Sequence, residues 1–139
     1  MIPSTNGFLS TDYTITEQPS LTYALSGIAD DSFGKYTVAG QVDELESVRQ
    51  AIYKILSTER YKYVMYSWNY GIELLDLYGE PITYVIPEIQ RRIIEALLMD
   101  DRVNDVDNFI FDTKGRVISM EFEVYTVFGK IALERAVNF

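Results

Sequence analysis

The sequence predicts an α+β fold, two helices packed on an antiparallel sheet in the order β-β-α-α-β-β-β. Three patterns predict it. Leu45, Val48, Ile52, Ile55 and Leu56 recur at helical spacing, and Ile82, Val85, Ile86, Ile89, Ile93, Ala96 and Leu97 do the same. From 117 to 128, Ile118, Met120, Phe122, Val124 and Phe128 fall on one face, against Ser119, Glu121, Glu123 and Tyr125 on the other, the signature of a half-buried antiparallel strand.

Taken in order, residues 1–20 are rich in Ser, Thr, Pro and Asn and read as a flexible arm; 21–139 read as one domain. Leu21, Tyr23 and Leu25 alternate with small polar residues and predict a short strand. A turn at Asp30-Asp31-Ser32-Phe33-Gly34 returns the chain into the β-prone segment Lys35–Ala39. Asp43 is a good N-cap, with Glu46 as its capping-box partner, for a helix over 44–57 whose polar Glu46, Arg49, Gln50 and Lys54 lie off the apolar stripe. Tyr61, Tyr63, Tyr66, Trp68 and Tyr70 show no period and predict an irregular, aromatic-anchored loop over 59–72. A short helical turn follows within 72–77 and stops at Gly79.

Glu80-Pro81 suits a helix start, since proline is tolerated in the first turn. Pro87 lies inside the stripe, so the second helix either kinks there or begins there. Asp100-Asp101 closes it. Val106, Asn108 and Ile110 then alternate with Asp107, Phe109 and Phe111, and Thr113-Lys114-Gly115 forms a turn. Gly129-Lys130 predicts a tight hairpin, and Ile131, Leu133, Val137 and Phe139 alternate along the last strand.

Composition narrows the chemistry. Hydrophobic residues make up 47% of 139 and charged residues 24%, enough for a core without a metal or disulfide staple. There is no Cys and no His, which removes Ser–His and Cys–His nucleophiles and the commonest zinc ligand. The net charge of −9 argues against nucleic acid and against anionic membranes, which are bound through Lys and Arg. No apolar run reaches the ~18 residues of a membrane span. The N-terminus lacks a charged region followed by an apolar core, so no signal peptide is expected. Asp100, Asp101, Asp105 and Asp107 suggest calcium, but the fifth loop position and the glycine are wrong; no metal and no cofactor are expected. Glu59, Glu73, Asp76 and Glu80 could supply a glycosidase acid pair, though 21 acidic residues guarantee such pairs by chance. The ordinary alternative is solvated or capping carboxylates, and Glu59-Arg60 as an exposed helix-end ion pair would be worth only ~0–1 kcal/mol.

Several of these pieces occur together. A helix ends in Thr58-Glu59-Arg60, the aromatic–Gly pair Tyr70-Gly71 follows, then a second helix with Glu-Ala-Leu at 95–97, then a C-terminal antiparallel sheet. Over about 40–135 the chain resembles the sheath-initiator family, baseplate wedge proteins of contractile phage tails and phage-tail-like particles that are sometimes called lysozyme-like. The central proline of the family's Glu-Pro-Arg form is absent, since Arg60 directly follows Glu59.

The resemblance implies a structural, non-enzymatic role: joining the inner wedge of the baseplate and initiating sheath polymerisation, on a domain like the interlocking domain of sheath subunits. Implied partners are other wedge proteins, the tail sheath protein, and tube or hub proteins; the implied location is a baseplate assembled in the host cytoplasm. It marks Thr58, Glu59, Arg60, Tyr70 and Gly71 as the wedge contact. The last strand, with Ile131, Leu133 and Arg135, is the expected sheath-docking edge, the alternative being an edge covered by the N-terminal arm, and proline at Leu133 is expected to remove one of its donors. A peptidoglycan hydrolase of the tail is the enzymatic alternative, and would need an acid with a raised pKa in an apolar cleft. A small-ligand module would need a concave apolar pocket.

Overall fold

The computed structural model describes residues 19–26 and 37–139. The elements are β1 (Thr22–Ser26), β2 (Thr37–Val42), α1 (Glu44–Ser57), α2 (Ile82–Leu97), β3 (Val103–Lys114), β4 (Val117–Thr126) and β5 (Gly129–Asn138), with a single 3-10 turn, Leu75–Leu77, between the helices. The predicted order is the observed one. The expected arm, apart from Pro19 and Ser20, and the expected turn at 30–34 lie outside the described residues. The strands divide into two antiparallel sheets, a β1–β2 ribbon and a three-stranded sheet ordered β3-β4-β5.

Helix α1 begins where Asp43 accepts the Glu44 N–H at 2.7 Å, and it ends at Thr58, whose extended backbone turns the chain away while its hydroxyl donates to the Lys54 carbonyl at 2.8 Å. Helix α2 starts at Ile82, with Pro81 at its N-cap, and carries Pro87 inside it, so of the two expected arrangements the start at Pro87 is not the one found. Pro87 is exposed, which leaves the carbonyl one turn earlier free to bond water.

Both helices lie on one face of the three-stranded sheet. Ile118, Met120, Phe122 and Val124 of β4 and Ile131 and Val137 of β5 point inward against Val48, Ile52, Ile89, Ile93 and Leu97. Full burial of each such side chain stabilises the fold by about 1.5–3 kcal/mol. Phe109 adds its ring to this layer, stacked on Phe122 with centroids 5.2 Å apart.

Three expectations need correction. On β3, Val106, Asn108 and Ile110 do not share a face. Asn108 adopts a left-handed φ of 57°, and the register with β4 shifts between Asp107 and Ile110. This bulge turns Phe109 and Phe111 toward the core and leaves Ile110 exposed. Both hairpins turn elsewhere than expected: Lys114 pairs Val117 across Gly115-Arg116, and Thr126 pairs Gly129 across Val127-Phe128. Thr126 staples the second turn, donating to the Gly129 carbonyl at 2.7 Å and accepting the Phe128 N–H at 3.2 Å. Phe128 therefore sits in a turn and not on the inner face of β4.

Gln50 is also not the solvated polar residue that the helical pattern implies. It is buried, and its amide pairs with the backbone of β1 as a neighbouring strand would: Oε1 accepts from Leu25 N at 2.9 Å, and Nε2 donates to Tyr23 O at 2.8 Å. Replacing it leaves both backbone groups unpaired. Gln50→Leu is expected to lower stability by about 1–3 kcal/mol and to speed hydrogen exchange at Leu25 while α1 and the three-stranded sheet keep their protection. Unchanged exchange at Leu25 would show that β1 is held by something else.

Candidate functional site

The chain leaves α1 at Thr58 and returns at Gly71, and the two passes are joined by backbone bonds. Ile72 N donates to Thr58 O at 3.0 Å and Arg60 N donates to Ile72 O at 3.1 Å, a one-residue parallel bridge. Gly71 is required by contact as well as conformation. Its φ is 91°, and a Cβ there would lie 2.5 Å from the Thr58 carbonyl oxygen.

Glu59 and Arg60 do not pair with each other. Glu59 Oε1 accepts the N–H groups of Leu74 and Leu75 at 3.0 and 3.1 Å, capping the 3-10 turn. Arg60 donates from Nε and Nη2 to the Gly71 carbonyl at 3.2 and 3.1 Å, and from Nη1 to Glu95 of α2 at 3.0 Å. Its side chain is only 10% exposed. So the motif Thr58, Glu59, Arg60, Tyr70, Gly71 is brought together, and the side chains of Thr58, Glu59 and Arg60 are engaged within the chain.

A second arginine fastens the same segment further along. Arg92 of α2 forks onto the Asp76 carboxylate, donates to the Glu73 carbonyl at 2.9 Å and bonds Glu88 at 3.0 Å. Arg91 bridges Glu88 and Glu95 on the surface. The helical spacing of Glu88, Arg91, Arg92 and Glu95 makes the pairs within α2 legible. The bonds to Arg60 and Asp76 span long sequence distances and leave no such signal.

What the closed loop displays is apolar. Val64 is 103% exposed, Met65 80%, Trp68 76% and Tyr61 63%. Beside them Tyr66 stacks on Tyr70 at 4.5 Å and meets Tyr63 edge-on at 6.3 Å. Burial raises the Tyr70 hydroxyl pKa, with help from Tyr66 and Asp100. Tyr61 takes a left-handed φ of 68° where the loop begins, a conformation that costs a non-glycine residue about 1–3 kcal/mol. The loop is thus a braced platform for exposed aromatic and aliphatic groups.

The last strand forms the second candidate surface. β5 is an edge of its sheet, and among the described residues no strand pairs with its outer side. Ile131, Leu133 and Arg135 point to the helix face, Ile131 fully buried and the other two partly. Beyond the end of the strand, Phe139 N donates to Arg116 O at 2.9 Å, and the β4–β5 register runs without a shift. Antiparallel pairs alternate, so 131, 133, 135 and 137 exchange bonds with β4. The Leu133 donor is therefore committed inside the sheet, and the outward-facing N–H and C=O groups belong to Ala132, Glu134 and Ala136.

The carboxylates proposed for hydrolysis are occupied or open. Glu59 caps a turn, the Arg92 fork pulls the Asp76 pKa down, Glu73 is partly buried and Glu80 is exposed. Every described carboxyl with a displaced pKa is displaced downward, including Asp100, where bonds from Arg102 outweigh the opposing effect of burial. Asp100, Asp101, Asp105 and Asp107 do not converge; among the described residues no three acids are placed to hold an ion. A groove of about 700 Å³ is open and lined by Ser47, Gln50, Lys54, Tyr70, Asp100 and Arg102 among others.

A model of the contractile injection system sheath initiator family matches residues 28–129. Over 97 residues, 68% of this chain and 69% of the relative, the sequence is 40% identical to the phage-like element PBSX protein XkdS of Bacillus subtilis (strain 168).

Two expectations follow from the clasp. Gly71→Ala should destabilise by about 1–2 kcal/mol from the left-handed backbone alone, and by more from the overlap with Thr58; a denaturant midpoint equal to wild type would show that the loop relaxes freely. The second concerns acid. A hydrogen bond from Arg60 lowers the Glu95 pKa, and Arg91 adds to it. A carboxyl lowered on folding stabilises above its unfolded pKa, about 4.3 for Glu, and loses that contribution as pH falls through the folded value. The melting temperature should therefore drop on acidification below about pH 4, and less steeply in Glu95→Gln. Parallel pH profiles would remove Glu95 from the clasp.

Proposed function

The chain belongs to the contractile injection system sheath initiator family, a structural part of a contractile tail, and we propose that it joins neighbouring wedge proteins through the aromatic loop and starts sheath polymerisation at the free edge of β5. The observation that carries this reading is that, among the described residues, one small fold offers two separate surfaces that no other element covers, as a joint requires. The loop 61–70 presents Val64, Met65 and Trp68 to solvent on a backbone closed at both ends. Rigid aromatic anchors of this kind dominate protein interfaces because little entropy is lost when they are covered. In this reading Thr58, Glu59, Arg60, Tyr70 and Gly71 act by positioning the loop, and Arg60 is a positioning residue.

The β5 edge suits a different kind of contact. An extended segment of the first sheath ring would bond the outward groups of Ala132, Glu134 and Ala136, adding a fourth strand to β3-β4-β5. In this reading the function is binding: Glu59 is engaged with backbone N–H groups, and Asp76 is held by Arg92, whose hydrogen bonds lower its pKa, away from the raised range that a general acid uses.

The test separates the two surfaces. Ala136→Pro removes an outward donor where an edge strand tolerates proline; it should leave the monomer folded and wedge binding intact while abolishing sheath growth on complete baseplates. Trp68→Ala should do the reverse, weakening co-purification with wedge partners at least ~10-fold, as loss of a central aromatic anchor does, with little change in melting temperature. Leu133→Pro should instead unfold the β4–β5 pair. Full-length sheaths on Ala136→Pro baseplates would refute the edge, and wild-type wedge binding by Trp68→Ala would refute the loop.

A further inference from the structure

Beside the free edge of β5, the outer face of the sheet carries an unrelieved like-charge pair. Glu121 of β4 and Glu134 of β5 are direct cross-strand partners, and both are exposed. By the alternation that commits Leu133 to β4, theirs is a non-hydrogen-bonded pair, the geometry in which side chains lie closest. Like charges directly opposite destabilise a sheet. The two lysines of this face are already engaged, Lys130 with Glu123 at 3.0 Å and Lys114 with Asp112 at 3.5 Å. Neither Glu121 nor Glu134 has a hydrogen-bond or ion-pair partner among the described residues.

The surroundings have a definite shape. A groove of about 490 Å³ opens here, lined by Ile110, Ala132, Glu121 and Glu134 among others, with Glu123 of the same lining already bonded to Lys130. Ile110 is exposed because of the Asn108 bulge, and it stands opposite Glu121 on the β3 side. An aliphatic stem ending in a cation matches that lining, since Lys and Arg lay their methylenes on apolar surface and keep the charge at its margin.

We propose that the sheath strand which adds to β5 carries a Lys or Arg on its outer face opposite Glu134, and that Glu121 and Glu134 form the charge key that selects it. The proposal rests on the edge-docking reading above. Main-chain bonds to Ala132, Glu134 and Ala136 hold the incoming strand whatever its sequence. The acidic pair fixes its register, because a one-residue slip sends the cation to the opposite face.

The test is sheath nucleation by the full chain on baseplates, using the sheath subunit of the same particle, at low and high salt. Glu134→Lys creates an opposite-charge pair with Glu121, so the monomer should melt at or above the wild-type temperature. Nucleation should nevertheless fall ~10-fold or more, since a like-charge contact now faces the arriving cation. Glu121→Gln with Glu134→Gln should weaken nucleation at low salt and flatten its salt dependence. Replacing the facing basic residue of the sheath by Glu should restore nucleation on Glu134→Lys. If Ala136→Pro abolishes nucleation but Glu134→Lys nucleates like wild type, the key is wrong and the edge stands. If Ala136→Pro itself nucleates normally, the edge reading fails and takes the key with it.

Discussion

Much of this fold turns on how one guanidinium is placed. Arg60 has left α1, yet it bonds the Gly71 carbonyl with two of its nitrogens and Glu95 of α2 with a third. A planar fork can satisfy both at once; an ammonium on a flexible stem cannot. Three parts of the chain are thereby fixed relative to one another: the end of α1, the close of the aromatic loop and the flank of α2. The contact is not mainly a source of stability, because burying an arginine costs desolvation that its partners only offset. Its effect is geometric. With Arg60 nearly buried and all three of its nitrogens bonded, a different placement of the loop would strand a charge, so competing conformations are penalised more than the native one is favoured. The loop can then expose Trp68 and Met65 without collapsing onto them.

The sheet shows an unequal treatment of its two edges. β3 is interrupted by the Asn108 bulge, which breaks the register with β4 and bends the outer line of donors. Bulges of this kind are a usual protection against unwanted pairing. β5 has none. It runs ten residues in unbroken register, with alanines at 132 and 136 flanking Glu134 on the outer face. Small side chains there let another backbone approach closely. Protecting one edge and leaving the other open is difficult to explain for a protein that acts alone, and natural for a part to which strands are added from one side.

The sequence revealed whatever depends on short-range periodicity. The α1 stripe from Leu45 to Leu56 predicted 44–57, and the helix spans Glu44–Ser57. The alternation of Ile118 through Val124 predicted the inner face of β4. Periodicity failed where one residue changes phase. Asn108 in a left-handed conformation looks like any polar residue in a strand, so Val106 and Ile110 read as neighbours on one face although the bulge separates them. Phe109 and Phe111 pack against the core instead. Gln50 failed for another reason: an amide off the apolar stripe gives no sign that it faces a strand edge instead of water. Of the candidate site, the corner residues were legible as a motif, but their partners Glu95 and Asp76 were not, since nothing local ties residue 60 to 95 or 92 to 76.

An open edge carries a hazard, because it pairs with whatever extended backbone arrives first, including another copy of itself. Here the acidic balance of the chain takes on a specific use. The net charge is −9, and two uncompensated carboxylates stand beside the exposed groups of β5. A second copy docking edge to edge would bring its own Glu121 and Glu134 toward the first pair, and in a sheet such facing like charges count against association. A strand bearing a cation meets the opposite field. The same two side chains thus oppose self-pairing and favour the proposed partner, and a difference in affinity between right and wrong strands is what specificity requires. On the proposal above, a cation brought by an added strand would relieve the facing of Glu121 and Glu134 that the isolated monomer carries.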